Sequence, residues 1–133
     1  MNLTHDPNVT RLFVDWEKVP RGSKLEAFLL FHEQNPQVFN LFVRYGRELR
    51  GRGSLRSNSA RRILDRVRWD GVYVWEHFSP YYARLMAMTY PREFGGDFFA
   101  YRTSPADDLR DVIVRITNPQ VDIVFVKTKE EAA

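Results

Sequence analysis

Apolar residues recur at helical spacing in the middle of the chain and at extended spacing near its ends. Between Lys24 and Gln34, Leu25, Phe28 and Leu29 fall at i, i+3 and i+4, the stripe of an amphipathic helix. Asn35 and Pro36 interrupt that helix and open a second, since Asn suits a cap and Pro the first turn. The second helix reaches about Arg50, with Phe39, Phe42, Tyr45 and Leu49 on one face and Arg44, Arg47 and Arg50 toward another, and Gly51 stops it. After the loop 51–54, a third helix starts past Ser57 or Ser59. Ala60, Ile63, Leu64 and Val67 form its apolar face, which turns Arg61, Arg62, Arg66 and Arg68 outward until Gly71 ends it.

Val72, Tyr73, Val74 and Trp75 read as a short strand because β-branched and aromatic residues dominate. A fourth helix, about 80–90, places Tyr82, Leu85, Met86 and Thr89 on one side and Tyr81 and Arg84 elsewhere, and Pro91 closes it. Gly95 and Gly96 make a turn, and residues 98–101 form a second short strand able to pair with 72–75. Ser104 and Pro105 open a fifth element, with Asp107 where a capping box places its acid. Leu109, Val112, Ile113 and Ile116 have helical spacing but are rich in β-branched residues, so a strand paired with Val121–Val126 competes with a helix there. At the other end, residues 1–23 form an irregular arm with a short strand at Arg11–Asp15, and Leu12, Phe13, Val14 and Trp16 imply that it packs on the body.

These elements divide the chain into an arm (1–23), a core domain (24–102), a C-terminal extension packed on that core (103–127) and a tail (128–133). The expected fold class is α+β, mainly α: four to five helices with a two- to three-stranded sheet, in an order similar to a winged helix. The 44% apolar and 14% aromatic content exclude a wholly disordered chain. The absence of cysteine excludes disulfides, thiolate metal sites and cysteine nucleophiles. No run approaches the roughly 18 apolar residues of a membrane span. The N-terminus MNLTHDPNVTRLF lacks the basic and apolar regions of a signal peptide.

Charge changes the picture more than composition does. The net charge is only +3, yet residues 44–68 hold nine arginines, no lysine and two acids. Arginine's planar fork suits phosphate and carboxylate and stacks on bases. Such a concentration is the usual footprint of a polyanion partner.

The runs FHEQNPQVFNLFVRYGRELRGRG, SNSARRILDRVRWDG and FSPYYARLMAMTYPREFGGDFFAYR carry a recognisable pattern. Through Phe31-His32, Asn35-Pro36, Val38, Leu41-Phe42-Val43, Arg68-Trp69, Tyr81-Tyr82-Ala83-Arg84, Pro91 and Phe99, the chain resembles a family of small uncharacterised phage, prophage and bacterial proteins. It departs from that pattern at Asp70, where a histidine is expected, and lacks an Asn-rich run before the Tyr-Tyr-Ala-Arg element. The resemblance implies a phage or mobile-element setting in the bacterial cytoplasm, or in the virion, and carries no biochemical activity with it.

Candidate nucleic-acid contacts are Arg50, Arg52, Arg56, Arg61, Arg62 and Arg66 for phosphates, with Tyr81 and Arg84 on the fourth helix as a reading head. Six phosphate contacts on duplex DNA would give a log–log salt slope of roughly −5. Trp69, Tyr73, Trp75, Phe78, Tyr81 and Tyr82 either stack on unpaired bases or, as the stronger expectation, form core between sheet and helices. His5, His32 and His77 have no metal-ligand spacing, and His32 beside Glu33 reads as a helix-end residue. Asp107, Asp108 and Asp111 at a helix start complement its dipole. No catalytic motif or cofactor signature is present, so the leading expectation is nucleic-acid binding, DNA above all. The alternatives are docking on an acidic host or phage protein, and assembly into a phage particle through the arm and Val121–Val126.

Overall fold

A computed structural model describes residues 9–51, 60–96, 98, 99, 101 and 103–117. Its elements are β1 (Arg11–Val14), a 3-10 turn (Trp16–Lys18), α1 (Lys24–Gln34), α2 (Pro36–Gly51) and α3 (Ala60–Trp69). After a 3-10 turn at Glu76–Phe78 come α4 (Ser79–Thr89) and α5 (Pro91–Phe94). A 3-10 turn at Pro105–Asp108, α6 (Leu109–Val112) and β2 (Ile113–Thr117) complete the order. The protein is thus mainly helical with a small two-stranded antiparallel sheet, as the sequence pattern implied.

Local chemistry accounts for the helix ends. The Ser23 side chain accepts from the Glu26 amide at 3.1 Å, and the Glu26 carboxylate accepts from the Gly22 amide at 2.8 Å, fixing the start of α1. Asn35 serves both helices: its side-chain amide donates to the Phe31 carbonyl at 3.1 Å at the end of α1, and its own carbonyl accepts from the Val38 amide at 3.1 Å at the start of α2. Ser104 and Asp107 form the expected reciprocal box, with Asp107 reaching the Ser104 amide at 3.1 Å.

α4 is the hub of the molecule. Tyr81, Tyr82, Ala83, Leu85, Met86 and Thr89 are all buried, so the helix is covered on several sides at once. It packs on α2, α3, α5 and α6, and Phe28 of α1 meets it through rings stacked 5.1 Å from Tyr81 and edge-on 4.9 Å from Tyr82. Tyr82 stacks on Phe42 of α2 with ring centroids 4.1 Å apart and planes 13° from parallel. Gly46 lets α2 come this close: a Cβ there would lie 2.6 Å from the Met86 methyl and 3.0 Å from the Phe94 ring. A reading head on α4 is therefore corrected. Tyr81 is 2% exposed, and the Arg84 side chain is 13% exposed. Both serve packing, because the helix that carries them is interior.

The sheet also differs from expectation. Residues 72–75 form no ladder, and no strand spans 98–101 among the described residues. Val74 is fully buried, and its carbonyl accepts from the Arg68 guanidinium, with Nε at 3.0 Å. A side chain has taken the hydrogen bond a partner strand would have used. Phe98 and Phe99 fold back on each other and on Phe94 instead. Among the described residues the winged-helix order is not formed. The sheet comes from the two terminal segments, with Leu12 facing Ile116 and Phe13 facing Arg115. The segment after Ser104 is both helix and strand, turning from α6 into β2 at Ile113. The strand expected at Val121–Val126 lies outside the described residues. Arm and extension thus meet each other, and the Asp15 amide adds a bond to the Val112 carbonyl at 2.8 Å.

His32 ties the arm to α1. It is 3% exposed, and Nε2 donates to the Thr10 carbonyl at 2.8 Å while Nδ1 has no partner among the described residues. Burial pushes its pKa below 6.5, partly countered by the Thr10 bond. The unfolded chain therefore takes up a proton near pH 6.5 while the folded chain resists. Stability present above that pH falls as pH drops toward the folded value, by at most about 1.4 kcal/mol per pH unit. Urea titrations between pH 7.5 and 5 on wild type and His32→Gln check this: the variant should lose the slope.

The Tyr82 hydroxyl is buried without a partner among the described residues. Tyr82→Phe should raise stability by about 1 kcal/mol, since it removes an unsatisfied polar group and keeps the stack. Tyr82→Ala should cost about 3–5 kcal/mol. The two denaturation midpoints must shift in opposite directions.

Candidate nucleic-acid interface

α3 buries Ile63, Leu64 and Val67 against α2 and α4. That seating leaves Arg61, Arg62, Asp65, Arg66 and Trp69 exposed on the far side, as helical geometry requires. α2 likewise buries Phe39, Phe42, Val43, Tyr45, Gly46 and Leu49 and exposes Arg44, Arg47 and Arg50.

The arginines nevertheless fall into two groups. Arg47 grips Glu93 of α5 through two bonds of 2.8 Å and lies 4.9 Å above the Tyr90 ring. Arg66 binds Asp70 at 2.8 Å and covers the Tyr45 ring at 4.2 Å, while the Tyr45 hydroxyl donates to the other Asp70 oxygen. The Tyr45 hydroxyl, then Arg66, hold the Asp70 carboxyl below the ordinary carboxylate range. Arg68 is spent on the Val74 carbonyl and lies 5.9 Å from the Tyr73 ring. Arg61 faces Asp65 at 3.5 Å and Glu76 at 3.6 Å, longer contacts with more than half of its own side chain exposed. Arg84 binds Asp107 at 2.8 Å and the Pro80 carbonyl at 3.0 Å.

Arg44, Arg50 and Arg62 are exposed and form no ion pair among the described residues. Arg44 lies 5.6 Å from the Tyr45 ring. Arg52 and Arg56 lie outside the described residues. Asp65, Asp70, Glu76 and Glu93 thus occupy part of the arginine-bearing surface. What persists is a corner. From 49 to 64 the chain holds Arg50, Arg52, Arg56, Arg61 and Arg62 and not one acid. This stretch joins the end of α2 to the N-terminus of α3, where helix amides add positive potential.

The aromatics divide just as sharply. Phe78, Tyr81 and Tyr82 are core, whereas Trp69 is 84% and Tyr73 75% exposed, and Trp75 is at the surface with His77 against its ring. The signals for this were present in the sequence. Trp69 is two residues past Val67 and so off the buried stripe, and period-two alternation in 72–75 buries Val74 while turning Tyr73 and Trp75 out. The i, i+4 pairings of Arg61 with Asp65 and Arg66 with Asp70 were also legible.

Among the described residues, no group of three His, Asp or Glu side chains comes together to hold a metal ion, and no helix is long and apolar enough to cross a membrane. No protein-family model, curated protein or solved structure matches the chain.

The two groups of arginines should respond differently to truncation. Arg50→Ala and Arg62→Ala should leave the urea midpoint unchanged. Arg66→Ala and Asp70→Ala should lower it, because each unties α2 from the end of α3. Equal midpoints for all four variants would show that the Tyr45–Asp70–Arg66 contact holds nothing.

Proposed function

We propose that the protein binds nucleic acid through the corner between α2 and α3, as an accessory protein in the phage or prophage setting its sequence pattern suggests. The observation that supports this most is the acid-free stretch 49–64, whose described arginines Arg50, Arg61 and Arg62 all face solvent. Exposed ion pairs contribute little, so a phosphate can displace Asp65 and Glu76 from Arg61 at small cost. Arg66 is a different case, since moving it would strip Tyr45 and Asp70 of a partner at once. The contact set is therefore Arg50, Arg52, Arg56, Arg61 and Arg62, and Arg66, Tyr81 and Arg84 leave it.

Five phosphate contacts on duplex DNA give a log–log salt slope of about −4 to −5. The double variant Arg50→Ala/Arg62→Ala should reduce that slope by about two and weaken binding evenly across sequences. Fluorescence anisotropy between about 50 and 200 mM salt reads both quantities. Binding that ignores salt, or a slope the double variant does not change, would refute the assignment.

A further inference from the structure

We infer that Trp69 and Tyr73 form a stacking platform for unpaired bases, so that the ligand is single-stranded nucleic acid. This deepens the reading above and rests on it. A chain that buries Phe78, Tyr81 and Tyr82 completely leaves two large rings of the same region 84% and 75% exposed. They bracket the turn Asp70–Gly71, where Gly71 takes φ 91°.

The backbone that carries these rings is fixed. The amides of Asp70 and Gly71 donate to the carbonyls of Val67 and Arg68 at 3.1 and 2.8 Å. The Arg68 guanidinium clamps the Val74 carbonyl, Val74 is fully buried, and the Phe78 amide closes onto the Trp75 carbonyl at 2.9 Å. The backbone beneath the rings is thus held by these bonds, so stacking has to order only the two side chains. Of the carboxylates nearby, Asp70 is held by Tyr45 and Arg66, whereas Asp65 and Glu76 share Arg61 and give it up when a phosphate binds there.

Arg62 and Trp69 are seven residues apart on α3, about 10 Å along its axis. A phosphate at the basic corner and a base on Trp69 can therefore belong to the same short stretch of strand. Duplex DNA keeps its base faces covered and cannot use the rings. Sequence-tolerant stacking on aromatics beside a basic track is how unpaired strands are held.

The test uses the full chain with a labelled oligothymidylate of about 15 nucleotides and a duplex of equal length. The single strand should bind about tenfold or more tighter than the duplex at equal salt and quench tryptophan emission. Trp69→Ala/Tyr73→Ala should cost about tenfold or more on the single strand and nothing on the duplex. Trp69→Leu, which keeps apolar bulk and removes the π face, should reproduce the Trp69 part of the loss. Both rings are exposed, so thermal melts of the variants should match wild type. Duplex binding equal to or tighter than single-strand binding, or ring variants that bind the single strand like wild type, overturns the platform while leaving the nucleic-acid reading intact. Failure to bind either form at low salt overturns both.

Discussion

The face-to-face stack of Tyr82 on Phe42, with centroids 4.1 Å apart, is the contact on which the arrangement of the molecule depends. It places α4 against α2 at the distance Gly46 allows. Once α4 is interior, α1, α3, α5 and α6 must cover its remaining surface, since nearly every residue on it is apolar or aromatic. α2 and α3 then have one buried face each, and their arginines have nowhere to go but outward. The exposed basic corner is in this sense a consequence of the core.

The helices were legible because their signals are local. Leu25, Phe28 and Leu29, or Ile63, Leu64 and Val67, report a periodicity that tertiary contacts only reinforced. The sheet was not legible, because Leu12 pairs with Ile116 across almost the whole chain and no local spacing records that partner. Val72–Trp75 carries strand residues, yet Arg68 satisfies the Val74 carbonyl, and a side-chain competitor six residues away leaves no mark in strand propensity. His32 reads as a helix-end residue and is a buried tether for Thr10, again a long-range fact.

The candidate site was legible in part. Exposure of Arg61 and Arg62 followed directly from the α3 stripe. Tyr45 read as core, and its ring is indeed buried, but its hydroxyl reaches Asp70 and recruits Arg66 into a structural role. Tyr81 and Arg84 were misplaced because helical spacing alone cannot distinguish a helix with one buried face from one buried on several.

The arginines and aromatics together give α3 a direction. Around its N-terminus the sequence run 49–64 contains five arginines and no acid. Toward its C-terminus Asp65 and Asp70 neutralise Arg61 and Arg66 in turn, and beyond them stand Trp69 and Tyr73. On the proposed reading, a polyanion is drawn to the first end and gains little electrostatically at the second, where only a ring face is on offer. Neither exposed ring contributes burial to the fold, since most of each lies in water. A rigid turn that holds them there does nothing for stability that smaller polar residues could not do. The proposed ligand, whose charge and flat rings are separable parts of one chain, would meet both ends of the helix at once.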